Sequence, residues 1–302
     1  MDRKSEKIIE VDYLFNGFKH KDYVFYLDIW SDVIVSGSAD NTISVCRWKE
    51  NKVVTNIAFD YKGRWGIPVS FSKNGAFLAV GAYEEIVVYD VNNSFRVYSR
   101  VFGHRSGVQS LFISKDHFIL TGGSDGRLVL WSFPDLSLKK EVSTGIKEVW
   151  SVSISKDEKF ALCGGSEKLV CLYNFPDLKL KKMIKNDYPV EFVDFSPDSS
   201  FFLFADAGGK VVVFDMNNLD KPARVLSAHI DSVLVARFLD EDVVVSGGRD
   251  GDIYFFSLNT GNVLKKISAG SSVFSIDFSI DNSLLVAGNE KGDILFYKVL
   301  VQ

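Results

Sequence analysis

Three features of the 302-residue sequence predict an all-β ring of repeated blades. Apolar runs of four to seven residues, cut by Gly, Asp, Asn and Ser clusters, recur along the chain, and helical i, i+3, i+4, i+7 spacing is sustained nowhere. Composition points the same way: 25 Phe, 11 Tyr and only 6 Pro favour residues that fit a pleated surface. The third feature is a fixed period. Apolar anchor residues that close each strand pair stand at Cys46, Tyr89, Trp131, Tyr173, Phe214, Phe256 and Tyr297, with gaps of 43, 42, 42, 41, 42 and 41. Repeats of about 40 to 45 residues, each with roughly four strands, predict a seven-bladed β-propeller.

The elements follow in order. Lys7–Leu14 reads as a strand with no neighbour close in sequence. Within a repeat, Phe118–Trp131 reads as strand, tight turn and strand, with Asp125-Gly126 at the turn. A second marker precedes most anchors: Phe71-Ser72-Lys73, Ile113-Ser114-Lys115, Ile154-Ser155-Lys156, Phe195-Ser196-Pro197 and Phe278-Ser279-Ile280. Phe133–Lys140 is nearly copied as Phe175–Lys182, 42 residues later. At the C-terminal end Asp293–Leu300 supplies only a third strand for the last blade. The N-terminal strand is therefore expected to complete that blade, closing the ring and removing exposed sheet edges. On this reading residues 1–302 form a single seven-bladed domain, with residues 1–6 a flexible tail.

These residues carry a family resemblance. Ser36–Asp40, Gly103-His104, Thr121–Asp125 with Trp131, and Ser246–Asp250 resemble the WD-repeat family, over essentially the whole chain. The Trp-Asp pair that names the family is never intact: Ser132 follows Trp131, while Asp90 and Asp215 follow Tyr89 and Phe214. The resemblance implies a buried polar tetrad, complete in blade 3 as His104, Asp125, Thr121 and Trp131. Three members stand in blade 1 (His20, Asp40, Ser36) and three in blade 6 (His229, Asp250, Ser246). Imidazole, carboxylate, hydroxyl and indole N–H can satisfy one another when buried. A His–Asp–Ser set also invites a hydrolase reading, but recurrence in phase with the repeat favours a structural role. His117, out of phase, is expected at the surface.

Other chemistry is sparse. No Gly-x-Ser-x-Gly elbow and no phosphate-binding Gly-x-x-x-x-Gly-Lys-Ser/Thr loop occurs. Cys163 and Cys171 straddle the blade 4 hairpin without a His or second Cys pair, so no metal site is expected, and Cys46 reads as core. No cofactor, small-molecule substrate or enzymatic activity is expected, and most carboxylates read as turn residues. Three cysteines do not make a secreted disulfide framework, and Met1–Lys7 shows no apolar leader segment. No run of about 18 apolar residues would cross a membrane. The expectation is a cytoplasmic and/or nuclear protein. A net charge of −4 argues against a dedicated duplex-nucleic-acid binder. Lysines nevertheless gather at Lys139-Lys140 and at Lys179, Lys181, Lys182 and Lys185, in fourth strands at the rim. They read as edge protection, with a peripheral RNA contact as the alternative.

In the WD-repeat family the narrow face of the ring commonly holds partner peptides. Transferring the family's contact positions by phase selects Tyr23, Phe25, Trp65, Ile67, Tyr83, Trp150, Arg249 and Phe274. Blades 7, 1 and 2 would then share a contiguous aromatic patch, rimmed by Arg64, Arg105, Glu148 and Arg249. Such a patch has the anatomy of a protein interface, and plugging of the central channel is the alternative. The resemblance thus implies a non-catalytic scaffold in a multiprotein complex. Ile43–Glu50 resembles the ending of one blade in the WD-repeat subunit of the Ski complex, which serves RNA decay. A ribosome- or RNP-associated propeller, contacting RNA through its basic rim, is the second reading.

Overall fold

The computed structural model describes residues 7–60, 66–115 and 117–302. The chain opens with β1 (Ile9–Lys19). Blade 1 follows as β2 (Val24–Trp30), β3 (Val33–Ser38), β4 (Thr42–Arg47) and β5 (Lys52–Ala58). Blade 2 is β6 (Val69–Phe71), β7 (Phe77–Ala82), β8 (Glu85–Asp90) and β9 (Arg96–Phe102). Blade 3 is β10 (Val108–Ser114), β11 (Phe118–Gly123), β12 (Arg127–Ser132) and β13 (Leu138–Ser143). Blade 4 is β14 (Val149–Ile154), β15 (Phe160–Gly165), β16 (Leu169–Asn174) and β17 (Lys179–Lys185). Blade 5 is β18 (Val190–Phe195), β19 (Phe201–Asp206), β20 (Lys210–Asp215) and β21 (Arg224–Ser227). Blade 6 is β22 (Val233–Phe238), β23 (Val243–Gly248), β24 (Asp252–Ser257) and β25 (Val263–Ser268). Blade 7 is β26 (Val273–Ser279), β27 (Leu284–Asn289) and β28 (Asp293–Val301), with β1 as its outer strand.

The seven antiparallel four-stranded sheets match the expected seven-bladed propeller, and the closure is the one expected. β1 pairs with β28 from Ile9↔Val301 to Lys19↔Asp293, with two register shifts. The tail assigned to residues 1–6 lies outside the described residues.

Burial explains the texture of the sequence. Second and third strands are buried through consecutive positions, as in Ile34–Ser38 and Leu128–Trp131, because neighbouring blades cover both faces. Outer strands alternate between exposed and half-buried residues. Seven apolar clusters hold the ring, and each joins two adjacent blades. Val24 and Ile34 of blade 1, for example, pack with Val286 and Phe296 of blade 7. Close approach between blades sets the recurrent glycines. A Cβ on Gly122 would collide with Val149 and Val152 of the next blade, and one on Gly247 with Val273 and Ile276. The copied segments match in detail, each carrying a cis peptide, at Phe133-Pro134 and Phe175-Pro176.

Candidate functional site

The tetrad of blade 3 forms as the residue types require. His104 Nδ1 lies 2.9 Å from Asp125 Oδ1, His104 Nε2 lies 2.9 Å from Thr121 Oγ1, and Trp131 Nε1 donates to Thr121 Oγ1 at 3.1 Å. One proton arrangement satisfies every group: indole to hydroxyl, hydroxyl to Nε2, and Nδ1–H to carboxylate. Burial pushes the Asp125 carboxyl up, but hydrogen bonds from His104, the Arg105 N–H and Arg127 outweigh it and hold the group well below the usual range. His20 meets Ser36 at 2.7 Å and Asp40 at 3.1 Å, and His229 meets Ser246 at 2.7 Å and Asp250 at 2.9 Å. Burial pulls both imidazoles below their ordinary value, against the nearby carboxylates. These sets tie the loop entering each blade to its hairpin. His117 is exposed.

Blades 4 and 5 change the polar set in different ways. In blade 4, Ile146 fills the place of the imidazole beside Gly165, and Cys163 and Tyr173 stand where blade 3 has Thr121 and Trp131. Blade 5 keeps an amide in place of the ring, with Asn186 Nδ2 donating to Asp206 Oδ2 at 2.9 Å. Cys163 and Cys171 are directly opposed across the hairpin, and all three cysteines are free and buried.

The narrow-face positions resolve into a mechanism. In six blades the first strand carries an extra residue, marked by a register shift just after its leading valine. The bulged residues are Phe25, Gln109, Trp150, Glu191, Leu234 and Phe274. All six line one cavity of about 550 Å³ at the channel. A bulge re-aims a side chain out of the pleat, here toward the ring axis. Blade 2 differs. Its pairing begins at Val69 with no such shift, and Ile67 takes the interblade position that valines occupy in other blades, its carbonyl pressed against Gly37. Ile67 is fully buried, so the expectation that it joins the face is corrected. The family phase slips by one residue there, and Pro68 occupies the next position. Trp65 and Arg64 lie outside the described residues.

Among the described residues the aromatic patch comes from blades 7 and 1. Tyr23 stacks on Phe274 with ring centroids 5.2 Å apart, and Phe25 meets Phe274 edge-on at 4.8 Å. These rings pack on one wall and leave the cavity open toward Trp150, Leu234, Glu191 and Arg249. Trp150 Nε1 donates to Glu148 Oε2 at 3.1 Å. Burial pushes the Glu191 carboxyl up to about 7, with Arg249 acting against the shift. Tyr83 is exposed at a turn with φ of 56° but does not line the cavity. Two exposed side chains were not anticipated, Ile230 (91% exposed) and Tyr188 (46%), in the loops entering blades 6 and 5. Ile230 directly follows the tetrad residue His229, where Lys21 and Arg105 follow the other imidazoles, and that offset identifies it.

A further feature places a few charged groups on the inner strands rather than in turns. The fifth residue of β2, β18, β22 and β26 is Asp28, Asp194, Arg237 and Asp277, a charged girdle on the inner strands. Asp28 Oδ2 accepts from the Phe71 N–H of blade 2 at 2.6 Å, and Asp277 Oδ2 accepts from the Ile29 N–H of blade 1 at 2.9 Å. Burial pushes the Asp194 carboxyl up, and the Phe238 N–H of blade 6 acts against the shift. Each carboxylate thus clips one blade to the next. Arg237 Nη1 lies 3.9 Å from Asp277 Oδ1, and its guanidinium sits 5.3 Å from the Phe192 ring. Burial, then the charge of Asp277, pushes Asp28 up to about 7.

Among the described residues no group of three or more His, Cys, Asp or Glu side chains is arranged to hold a metal ion. Nor is any helix among them long and apolar enough to cross a membrane.

Comparison with known proteins agrees with this geometry. The family model for the WD domain, G-beta repeat, matches residues 95–132, which run from β9 through the tetrad strands of blade 3. Human Protein NEDD1 is 27% identical over 231 residues, covering 70% of this chain and 33% of that protein. Set1 complex component swd1 of Schizosaccharomyces pombe is 34% identical over 88 residues, covering 28% of this chain and 22% of that protein. The matches thus span a third or less of the length of these curated relatives. With seven blades in phase, a complete tetrad and the matched repeat, the chain is a seven-bladed β-propeller that carries a WD repeat across residues 95–132.

Proposed function

We propose that this propeller is a non-catalytic adaptor that holds a segment of a partner protein on its narrow face, over the mouth of the channel. One observation carries the reading: six bulged side chains converge on a single cavity, where the aromatic wall of Tyr23, Phe25 and Phe274 faces Trp150 and Arg249. Aromatic and arginine anchors around a partly desolvated pocket are the usual energetic centre of an interface, each worth about 2 kcal/mol or more on truncation. Interaction scaffolding is the common use of the WD-repeat fold, and one relative is by its name a component of a multisubunit complex.

The test is affinity capture from the source cell with the wild-type chain and a Phe25→Ala, Trp150→Ala variant of matched circular dichroism. A protein set that binds wild type and is lost from the variant supports the site. The same set retained by the variant moves the site off the narrow face. The recovered proteins also decide the finer reading: Ski-type RNA-decay subunits would support the resemblance of Ile43–Glu50, and subunits of a Set1 complex would favour the assembly named for swd1.

A further inference from the structure

The charges of this chain are segregated. The seven outer strands carry thirteen of its 35 Lys and Arg but three of its 39 Asp and Glu, leaving the rest of an acidic protein more acidic still. The asymmetry peaks on β17, which holds Lys179, Lys181, Lys182 and Lys185 and no acid. Lys182 pairs with Asp220 at 3.2 Å, a contact with a 90% exposed carboxylate that contributes little. Lys181 lies 4.7 Å over the Phe160 ring. Among the described residues Lys179 and Lys185 make no ion pair.

Three further observations fall at the same place. β17 is the free edge of its sheet, with one row of backbone N–H and C=O groups unpaired by any strand. Its lysines are interleaved with exposed apolar side chains, Leu180 (47%) and Met183 (41%). Beside it the outer strand of blade 5, β21, has four residues where the other outer strands have six or more. The shortened strand borders a cleft of about 440 Å³ between the blades, floored by Phe204, Phe214, Leu219 and Val225.

We propose that the outer edge of blade 4 receives an extended acidic segment of a partner protein, laid along β17 with alternate apolar side chains in the cleft toward blade 5. Main-chain pairing supplies affinity in such strand addition, and side-chain pockets supply selection. The lysines bar a basic or apolar strand from this edge and admit an acidic one. A nucleic acid fits less well. β13 and β17 offer no aromatic platform on which a base could stack. This surface is separate from the narrow-face site and stands or falls without it.

The probe is a fluorescein-labelled, end-capped peptide of alternating Glu and Val, titrated with the full chain and followed by anisotropy at low salt. Saturable binding is expected, weakened about tenfold in the Lys179→Glu, Lys185→Glu variant, whose changed side chains are exposed. The same peptide N-methylated at alternate residues should lose binding, because it cannot pair with the edge. Absence of saturation, equal binding by the variant, or equal binding of the N-methylated peptide would overturn the proposal and leave the lysines as edge protection. Tighter binding of labelled oligouridylate than of the peptide would overturn it in favour of an RNA contact.

Discussion

Replacing Thr121 by Val tests the tetrad most directly, because it removes the hydroxyl at the centre while keeping the volume. Thr121 and the His104 side chain are fully buried, and Trp131 is 5% exposed, so water does not replace what is lost. The hydroxyl accepts from Trp131 Nε1 at 3.1 Å and lies 2.9 Å from His104 Nε2. Valine leaves both partners buried and unsatisfied. At about 1–3 kcal/mol for each of the two orphaned groups, Thr121→Val should cost about 2–6 kcal/mol. Thr121→Ser restores the hydroxyl and should cost about 1 kcal/mol, the loss of one methyl group. Urea unfolding followed by far-ultraviolet circular dichroism measures both. A penalty for valine no larger than that for serine would refute the view that the set is a mutually satisfied network. The double variant Thr121→Val, Trp131→Phe provides the internal check, since its penalty should fall short of the sum of the single ones.

Asp28→Asn probes the charged girdle. The folded-state value near 7 lies above the unfolded one near 4, so the contribution of Asp28 is fully present below about pH 4 and fades as pH rises through 7. Asparagine should flatten stability across that window and exceed wild type above it by about 1–2 kcal/mol, part of the shift belonging to Asp277. Urea midpoints from pH 4 to 8 decide this, and an unchanged pH profile counts against it. Gly122→Val drives a branched side chain into Val149 and Val152 and should cost about 1–3 kcal/mol or prevent folding, read by thermal unfolding. Deleting β1 uncovers the edge of β28 and strips Ile9 from its cluster. Size-exclusion chromatography should then show aggregation, and a monomer of unchanged melting temperature would contradict the closure.

Phase made most of this fold legible. A 42-residue repeat can be read residue by residue, and the positions after the leading valines proved to be the bulged residues that line the cavity in six blades. Blade 2 escaped the reading because its first strand is slipped by one residue against the repeat, so a pattern transferred at constant offset put buried Ile67 on the surface. The girdle was invisible for a different reason. An Asp on a strand gives no sign of whether a backbone N–H of the next blade waits for it, and Arg237 meets Asp277 only once the ring has brought blades 6 and 7 together. Blade 4 shows the converse. Ile146, Cys163 and Tyr173 look like decay of a motif, yet with the imidazole gone the Tyr173 hydroxyl finds its partners in the Cys163 and Cys171 thiols, so the substitutions need not strand a donor.

The pairing of β1 with β28 has a consequence for biosynthesis. During synthesis β1 emerges ahead of all seven blades and its partner β28 only after them, so Ile9, Phe15 and Phe18 have no sheet to join until β28 has been made. Because every apolar cluster spans two blades, each nascent blade likewise waits for the next one to cover it. The growing ring thus carries an uncovered flank on either side until β28 arrives, which makes chaperone occupancy during synthesis part of how this ring is made.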